Sequence, residues 1–267
     1  MNSRTVSIFG CGWLGLPLAI SLKNEGYSVN GSTTQIEKLE TLGKNGINPF
    51  LVSIDDQKII GDIQSFLDSE VLIVNIPPRR IPNISEYYRR QMELLIGAIN
   101  DSTVRYVLFI SSTSMYQNVN GMVDESTDPK PEKESGKAVL KAEQLFQSNT
   151  KFSTTILRFA GLIGPDRNPG RFLSGKSGLP GGGNPVNLIH LDDCIGIIKA
   201  ILKQNSWNEI FNGCYPDHPA RQEYYQNMAV LSGLPSPSFD PNLNTSFKWV
   251  NGEKVERILN YRYQMKI

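Results

Sequence analysis

The first half of the chain alternates short apolar runs with longer segments in which apolar residues recur every three or four positions. The short runs have the length of strands, and the longer segments have the period of amphipathic helices. We predict strands at residues 6–9, 27–32, 47–52, 71–76, 104–111 and 152–159, and helices near residues 13–24, 35–42, 84–100 and 133–147. This alternation predicts an α/β fold with a doubly wound parallel sheet and helices on both faces.

The composition of the chain changes after Arg158: glycine and proline become frequent, and the predicted elements become shorter. We predict a strand at residues 186–189 and helices at residues 192–202 and 221–231. The chain is therefore expected to divide functionally into residues 1–160 and a small lobe of residues 161–267. We expect that lobe to be built onto the carboxyl edge of the sheet, within one compact unit.

A glycine-rich segment, GCGWLG at residues 10–15, lies between the first predicted strand and the first predicted helix. In that setting Gly10 permits a tight turn, Gly12 lets backbone approach a pyrophosphate, and Gly15 lets the helix pack closely. The segment therefore predicts a Rossmann-type domain that binds a nicotinamide dinucleotide. We expect contacts to the cofactor from Trp13 and Leu14 as well. The residues at the ends of later strands that we expect to join them are Ile76, Pro77 and Ser111.

The residues after the second predicted strand bear on which dinucleotide is bound. Sites that prefer NAD place an acidic residue about 20 positions after the glycines, where it holds the ribose hydroxyls. This chain has Ser32, Thr33 and Thr34 there, followed by Gln35, and its next acidic residue is Glu37. Hydroxyl and backbone N–H groups donate to a 2′-phosphate, so we predict NADP rather than NAD. The alternative is that Thr33 and Thr34 are ordinary solvated turn residues.

Composition excludes several other classes of partner. The net charge of +1 gives no electrostatic case for nucleic acid or an acidic membrane surface. The three cysteines are widely spaced, which favours neither a disulfide framework nor a metal site. No apolar run approaches the roughly 20 residues that cross a bilayer. We expect a cytoplasmic protein whose partner is a small molecule, with no metal ion.

Three later segments accompany the glycine loop: ISSTSMY at residues 110–116, LRFAGLIGP at 157–165 and PVNLIHLDD at 185–193. Together the four segments resemble the extended short-chain dehydrogenase/reductases, the NAD-dependent epimerase/dehydratase family, over nearly the whole chain. The resemblance implies hydride transfer with nicotinamide, with a tyrosine and a lysine in a Y-x-x-x-K motif handling the proton. It assigns Ser112 as the serine that holds the substrate oxygen and Lys137 as the motif lysine, which also contacts the nicotinamide ribose.

The motif tyrosine is absent, because Lys133 occupies its position. A second lysine near Lys137 supplies no matched phenol, and a lysine ammonium is a poor proton donor at neutral pH. The chain therefore resembles the atypical branch of the family, which preserves the catalytic residues poorly. Tyr116 is a candidate substitute proton donor, although an aromatic residue there is equally a packing residue.

The lobe offers candidate substrate residues in Arg167, Arg171 and His190, and Arg158 is a further candidate for gripping an anion. The leading hypothesis is an NADP-dependent enzyme of the epimerase/dehydratase type acting on a small polar, sugar-linked molecule. The alternative is a catalytically silent NAD(P)-binding sensor or interaction protein, and a third reading is a β-hydroxyacid dehydrogenase, whose second half would consist of long helices. We also expect a homodimer, formed through an apolar patch on the two long helices that comprises Tyr87, Tyr88, Met92, Val139 and Phe146.

Overall fold

A computed structural model describes residues 4–267 of the chain. Its strands are β1 (Thr5–Phe9), β2 (Ser28–Thr33), β3 (Asn48–Leu51), β4 (Ser53–Ile54), β5 (Ile59–Ile60), β6 (Val71–Val74), β7 (Tyr106–Ser112), β8 (Gly121–Val123), β9 (Ser153–Phe159), β10 (Gly161–Ile163), β11 (Leu188–His190), β12 (Ile210–Gly213) and β13 (Lys248–Val250). Its helices are α1 (Gly15–Asn24), α2 (Glu37–Lys44), α3 (Ile63–Phe66), α4 (Ile84–Asn100), α5 (Glu134–Gln147), α6 (Leu191–Gln204), α7 (Arg221–Leu231) and α8 (Glu253–Leu259).

Seven strands form the central sheet in the order β12-β9-β7-β6-β1-β2-β3. The pairings from β7 through β6, β1 and β2 to β3 are parallel. All four residues of β6 are fully buried, as expected for a strand covered by helices on both faces. The strand order reverses between β1 and β6, and ligands of such sheets bind outside the carboxyl ends of the strands at that point. The predicted α/β doubly wound fold is confirmed.

The helices that cover the sheet form where the apolar periodicity predicts them. Helix α4 has the bounds that its pattern predicts, and Tyr88, Met92 and Leu95 on its inner face are buried. The missed elements are short: β4, β5, α3, β8, β10, β12, β13 and α8. Of these, β12 matters most, because it forms one edge of the central sheet although it lies in the glycine- and proline-rich half.

The chain forms two compact units that interleave along the sequence. The first comprises the chain up to Met115 together with Lys130–Arg158 and Ile198–Phe211, and the second comprises Tyr116–Pro129, Phe159–Ile197 and Asn212–Ile267. Each unit contains residues from before and after position 160. The compact units therefore do not coincide with the predicted division at residue 160, and a division of function there stays a prediction. No helix within residues 4–267 is long and apolar enough to cross a membrane.

Candidate functional site

The glycine loop after β1 is fixed by hydrogen bonds to its neighbours in the first unit. Gly10 has φ +104°, a conformation that favours glycine, and its amide donates to Ser32 Oγ over 2.9 Å. The amide of Cys11 donates to the Ser32 carbonyl over 2.9 Å, and Asn75 Nδ2 donates to the Gly10 carbonyl over 3.1 Å. The loop is therefore held between the ends of β2 and β6.

The other two glycines of the loop have different surroundings. A Cβ atom at Gly15 would lie 2.1 Å from the Gly10 carbonyl oxygen, so only glycine lets α1 begin so close to the loop. A Cβ atom at Gly12 would meet no heavy atom within 4 Å, and this residue is exposed. The open side of Gly12 is the place where the sequence motif expects a pyrophosphate.

A cavity of about 230 Å³ opens beside this loop at the carboxyl ends of β1, β2 and β6. Its lining residues are Phe9, Gly10, Cys11, Gly12, Ser32, Thr33, Thr34, Gln35, Lys38, Val52, Asn75, Ile76 and Pro77. Seven of the predicted cofactor-binding residues thus meet at one place. The predicted contacts Trp13, Leu14, Gly15, Ser111 and Lys137 do not line it, and Leu14 is buried.

Four lining residues were not predicted from the sequence, namely Phe9, Cys11, Val52 and Asn75. Asn75 gives no signal in the sequence, because nothing in a single Asn predicts that its amide reaches the Gly10 carbonyl. Cys11 lies inside the glycine motif, and its thiol is buried. Burial raises the pKa of Cys11 to about 12, so the thiol is neutral and unreactive at physiological pH.

The hydroxyls after β2 are not equivalent. Ser32 is buried and its hydroxyl accepts from Gly10, so it shapes the loop instead of facing solvent. Thr33 Oγ1 accepts from the Gln35 amide over 3.1 Å in a local turn. Thr34, Gln35 and Lys38 are exposed, which leaves their side chains accessible from the cavity.

The catalytic candidates Ser112 and Lys137 lie on adjoining elements of the first unit. Gly136 allows the start of α5 to pack on the turn after β7, because a Cβ atom there would lie 3.2 Å from the Ser114 carbonyl oxygen. Ser112 Oγ accepts from the Ser114 amide over 3.1 Å, as a strand-end cap does. Lys137 Nζ pairs with Glu134 Oε1 over 2.8 Å, and both side chains are largely exposed.

Lys133 immediately precedes α5 and is exposed, with extended backbone at φ −88° and ψ 144°. No hydrogen bond from its side chain caps the helix. A side chain at this position therefore projects from the start of the helix that carries Lys137 one turn later. The pattern Lys133-x-x-x-Lys137 keeps the spacing of the motif and lacks its phenol.

Tyr116, in the second unit, is placed as a buried hydrogen-bonding residue. Only 2% of it is exposed, and its hydroxyl donates to Asn212 Oδ1 over 3.0 Å. The backbone N–H of Asn212 in turn donates to Glu125 Oε1 over 2.7 Å. This arrangement does not favour the predicted role of Tyr116 as a proton donor.

Two further residues have structural partners in place of the ligand contacts expected for them. Arg158 is 3% exposed and forms an ion pair with buried Glu143 over 2.7 Å, so the expectation that it grips a substrate is wrong. Ser111 donates to the same carboxylate from the end of β7. Glu143 therefore joins β7, α5 and β9 inside the core.

Four of the five apolar residues expected to form a dimer patch are buried. Tyr88, Met92, Val139 and Phe146 are each at most 6% exposed. Helices α4 and α5 pack against each other and the sheet through such residues, and Tyr87 is half-buried, so these five residues do not form the exposed apolar patch that we expected. A homodimer stays a prediction that must rest on other surfaces.

A second cavity, of about 630 Å³, lies entirely within the second unit. Arg171 and His190 line it, as does Asp166, whereas Arg167 is in the same loop and does not. His190 Nδ1 accepts from the Asp192 backbone amide over 3.2 Å, an arrangement that places a ring N–H on Nε2, and the Asp192 carboxylate lies 3.5 Å from the same Nδ1 atom. This cavity brings together two of the three residues predicted to contact substrate.

No family model matches the chain. Solved structures of a sugar-nucleotide epimerase and of a short-chain dehydrogenase/reductase share its fold. A UDP-glucuronic acid 4-epimerase from Bacillus cereus, solved in complex with NAD, matches with a TM-score of 0.81 at 20% identity, over 98% of this chain and 93% of that one. A short-chain dehydrogenase/reductase superfamily protein from Agrobacterium tumefaciens with bound NAD matches with a TM-score of 0.78 at 15% identity, over 98% and 93%.

A relative at much higher identity defines the family. Protein YeeZ of Escherichia coli strain K12 is 36% identical over 264 residues, which cover 98% of this chain and 96% of YeeZ. The chain belongs to the YeeZ family.

Proposed function

We propose that the protein is an NADP-dependent oxidoreductase of the epimerase/dehydratase type that acts on a small polar, sugar-linked molecule. The observation that carries this proposal is the cavity beside the glycine loop, where the open side of Gly12 faces the space that a pyrophosphate needs. Gly10, Gly12, Ile76 and Pro77 would hold the dinucleotide. A nicotinamide cofactor supplies a hydride acceptor or donor when bound.

The preference for NADP is supported by the residues at the far end of the cavity. Thr34, Gln35 and Lys38 are exposed there, and no carboxylate is found among the described residues that line the cavity. A 2′-phosphate would accept hydrogen bonds from these groups and would gain from the positive charge of Lys38. An acidic residue at the same place would repel it.

Ser112 and Lys137 are the residues that would position substrate and the nicotinamide ribose. Both sit where β7 and the start of α5 meet, and within residues 4–267 each has a local partner that a ligand can replace: the Ser114 amide for Ser112 and exposed Glu134 for Lys137. The surface ion pair of Lys137 contributes little stability, so exchanging it for a ribose contact costs little. The proton donor is unassigned.

A second candidate function is a silent NAD(P)-binding protein. Its support is that Lys133 replaces the motif tyrosine and that Tyr116 is buried on Asn212. Such a protein would bind the dinucleotide through the same cavity and would not exchange hydride.

Titration of the protein with NADPH and NADH, followed by calorimetry or NADPH fluorescence, tests the proposal. We expect NADPH to bind at least several-fold tighter. Lys38→Met should remove most of that preference, whereas Lys44→Met, on the same helix and outside the cavity, should leave it unchanged. Equal or reversed affinities in the unmodified protein would reject the NADP assignment, and the absence of binding of either would reject the proposed function.

A further inference from the structure

The cavity of the second unit is lined by two cationic side chains that come from distant parts of the sequence. Arg171 belongs to the loop after β10, and Lys266 belongs to the segment 261–267, which we call the strap. Asp166 is the acidic residue that lines the cavity with them. The cavity therefore combines two cationic side chains with one acidic side chain, and His190, which also lines it, can donate a hydrogen bond through Nε2.

The strap is held by one buried carboxylate. Asp193, in the first turn of α6, is fully buried and accepts three hydrogen bonds from the strap. The donors are the Tyr261 hydroxyl at 2.8 Å, the Gln264 amide at 2.8 Å and the Met265 amide at 3.1 Å. Hydrogen bonds to a buried carboxylate are strong, so Asp193 fixes the backbone that immediately precedes Lys266.

The surface of α6 is shaped to receive the strap. A Cβ atom at Gly196 would lie 2.3 Å from the Tyr261 hydroxyl oxygen and 2.5 Å from its ring, so a glycine is required for this contact. Ile267, at the other end of the strap, packs against a cluster that contains Ile163 and Tyr224. Lys266 is exposed between these two anchors.

Tyr224 gives an independent sign of a ligand. It lines the cavity and is 5% exposed, and its hydroxyl is buried without a hydrogen-bond partner among residues 4–267. Leaving a buried hydroxyl unpaired costs free energy, and a polar ligand in the adjoining cavity would supply the missing partner.

We propose that the strap completes an anion-binding site in which Lys266 and Arg171 hold a phosphate group of the substrate, with the Tyr224 hydroxyl and His190 Nε2–H as further hydrogen-bond donors. Asp193 is a positioning residue in this site, because it acts on the ligand through the strap. The inference rests on the proposed function only in assigning this cavity to the substrate. Binding of the anion itself needs no dinucleotide.

Calorimetric titration of the full chain with inorganic pyrophosphate tests the site. We expect Lys266→Met and Arg171→Met to weaken binding about tenfold each, since each removes a charge-assisted contact, and Tyr224→Phe to weaken it a few-fold. Lys203→Met, an exposed lysine on α6, is the matched control and should bind as the unmodified protein does. Failure of the protein to bind pyrophosphate, or unchanged affinity of Lys266→Met, would overturn the proposal.

A double-mutant cycle separates positioning from general stability. If Asp193 acts through the strap, Asp193→Asn should weaken binding, and Asp193→Asn combined with Lys266→Met should bind no worse than Lys266→Met alone. Fully additive losses would contradict this role. Tyr261→Phe removes one of the three hydrogen bonds and replaces Asp193→Asn in the cycle if that variant does not fold.

Two further titrations keep this inference distinct from the proposed function. Titration with pyrophosphate in the presence of saturating NADPH, which fills the glycine loop, should still show binding that Lys266→Met weakens; if NADPH abolishes pyrophosphate binding and Lys266→Met does not weaken it, the anion sits at the glycine loop and the strap site is rejected. NADPH titration of Lys266→Met should match the unmodified protein. If the protein binds NADPH but Lys266→Met does not weaken pyrophosphate binding, only the strap site is rejected. If Lys266→Met weakens pyrophosphate binding but the protein does not bind NADPH, only the dinucleotide function is rejected.

Discussion

The hydroxyl of Ser32 accepts a hydrogen bond from the amide of Gly10 over 2.9 Å, across 22 positions of sequence. This contact joins the end of β2 to the glycine loop and sets the loop's position beside the cavity. We expect Ser32→Ala to weaken NADPH binding about fivefold and to lower the free energy of unfolding by about 1 kcal/mol, because the Gly10 amide loses its acceptor.

Ser7→Ala is the matched control for Ser32→Ala. Ser7 is also buried, and its hydroxyl donates to the Phe66 carbonyl over 2.6 Å, away from the cavity. It should lower the melting temperature with no change in the dissociation constant of NADPH. Equal NADPH affinity in Ser32→Ala and the unmodified protein would show that the contact does not shape the cofactor site.

Substitutions at Gly12 and Gly15, the other two glycines of the loop, should have opposite effects on binding and stability. Gly12→Val places its side chain in open space, so we expect a normal melting temperature and loss of binding of both NADPH and NADH. Gly15→Ala places Cβ 2.1 Å from the Gly10 carbonyl oxygen, and we expect it to destabilise the protein by about 3 kcal/mol or more. Thermal unfolding and dinucleotide titration of both variants would reveal the contrast. A destabilised Gly12→Val that still binds NADPH would contradict it.

The fold could be predicted from the sequence where periodicity is long and regular. Helix α4 spans 17 residues with a clear apolar face, and its predicted bounds agree with the structure. Strand β12 has only four residues and follows the change to short elements, so its apolar pattern is too brief to separate from a loop. Its place in the sheet depends on contacts with β9 that are remote in sequence.

The buried ion pair of Glu143 and Arg158 should contribute strongly to the free energy of unfolding. Glu143→Ala removes the carboxylate that pairs with the Arg158 guanidinium in the core, and we expect a loss of about 3–5 kcal/mol in the free energy of unfolding. Lys44→Ala breaks an exposed pair with Glu40 and should cost less than about 0.5 kcal/mol. Denaturant unfolding measures both. Similar small losses in the two variants would contradict a structural role for the buried pair.

Glu125 predicts a pH dependence of stability. Burial raises the pKa of this carboxyl above its ordinary value. The hydrogen bond that the backbone N–H of Asn212 donates to it acts in the opposite direction and is the smaller effect. The folded state therefore holds the proton more tightly than the unfolded state, and stability falls as the pH rises from near 4.3 through the folded pKa. Glu125→Gln keeps an acceptor oxygen and loses the titration, so it should gain stability relative to the unmodified protein over that window. Urea unfolding from pH 4 to pH 8 measures the difference, and parallel curves would refute it.

Lys133→Tyr tests the two functions against each other. If Ser112 and Lys137 position substrate and cofactor, the introduced phenol should complete the proton path and raise NADPH-dependent carbonyl reduction by about 10²–10⁴-fold. Ser112→Ala should then lower the gained activity. Lys141→Tyr, one turn beyond Lys137 on α5 and exposed, is the control and should gain none.

The other outcomes of that experiment are informative as well. If the unmodified protein reduces a substrate efficiently and Lys133→Tyr slows it, another residue donates the proton. If no variant oxidises NADPH with any carbonyl compound or UDP-sugar tested, while all bind it tightly, the silent-binding function is supported.

The candidate cofactor site could largely be predicted, because a local motif encodes it: Gly10, Gly12 and the Ser32–Thr34 stretch lie where the strand ends place them. The partners of Arg158 and Tyr116 could not be predicted. Their burial depends on Glu143 and Asn212, which are 15 and 96 residues away in sequence, and no periodicity connects such pairs. Nor does a local pattern connect Asp193 with the strap some 70 residues later.

The interleaved order of the two compact units has a consequence during synthesis of the protein. The first unit includes Ile198–Phe211, so the ribosome must add residues beyond position 211 before that unit has all its parts. Until β12 has emerged, the nascent sheet ends at β9 and exposes the unpaired backbone of a buried-type strand. A fragment that ends at residue 160 would carry the whole glycine loop and this open edge, and self-association through β9 would compete with its folding.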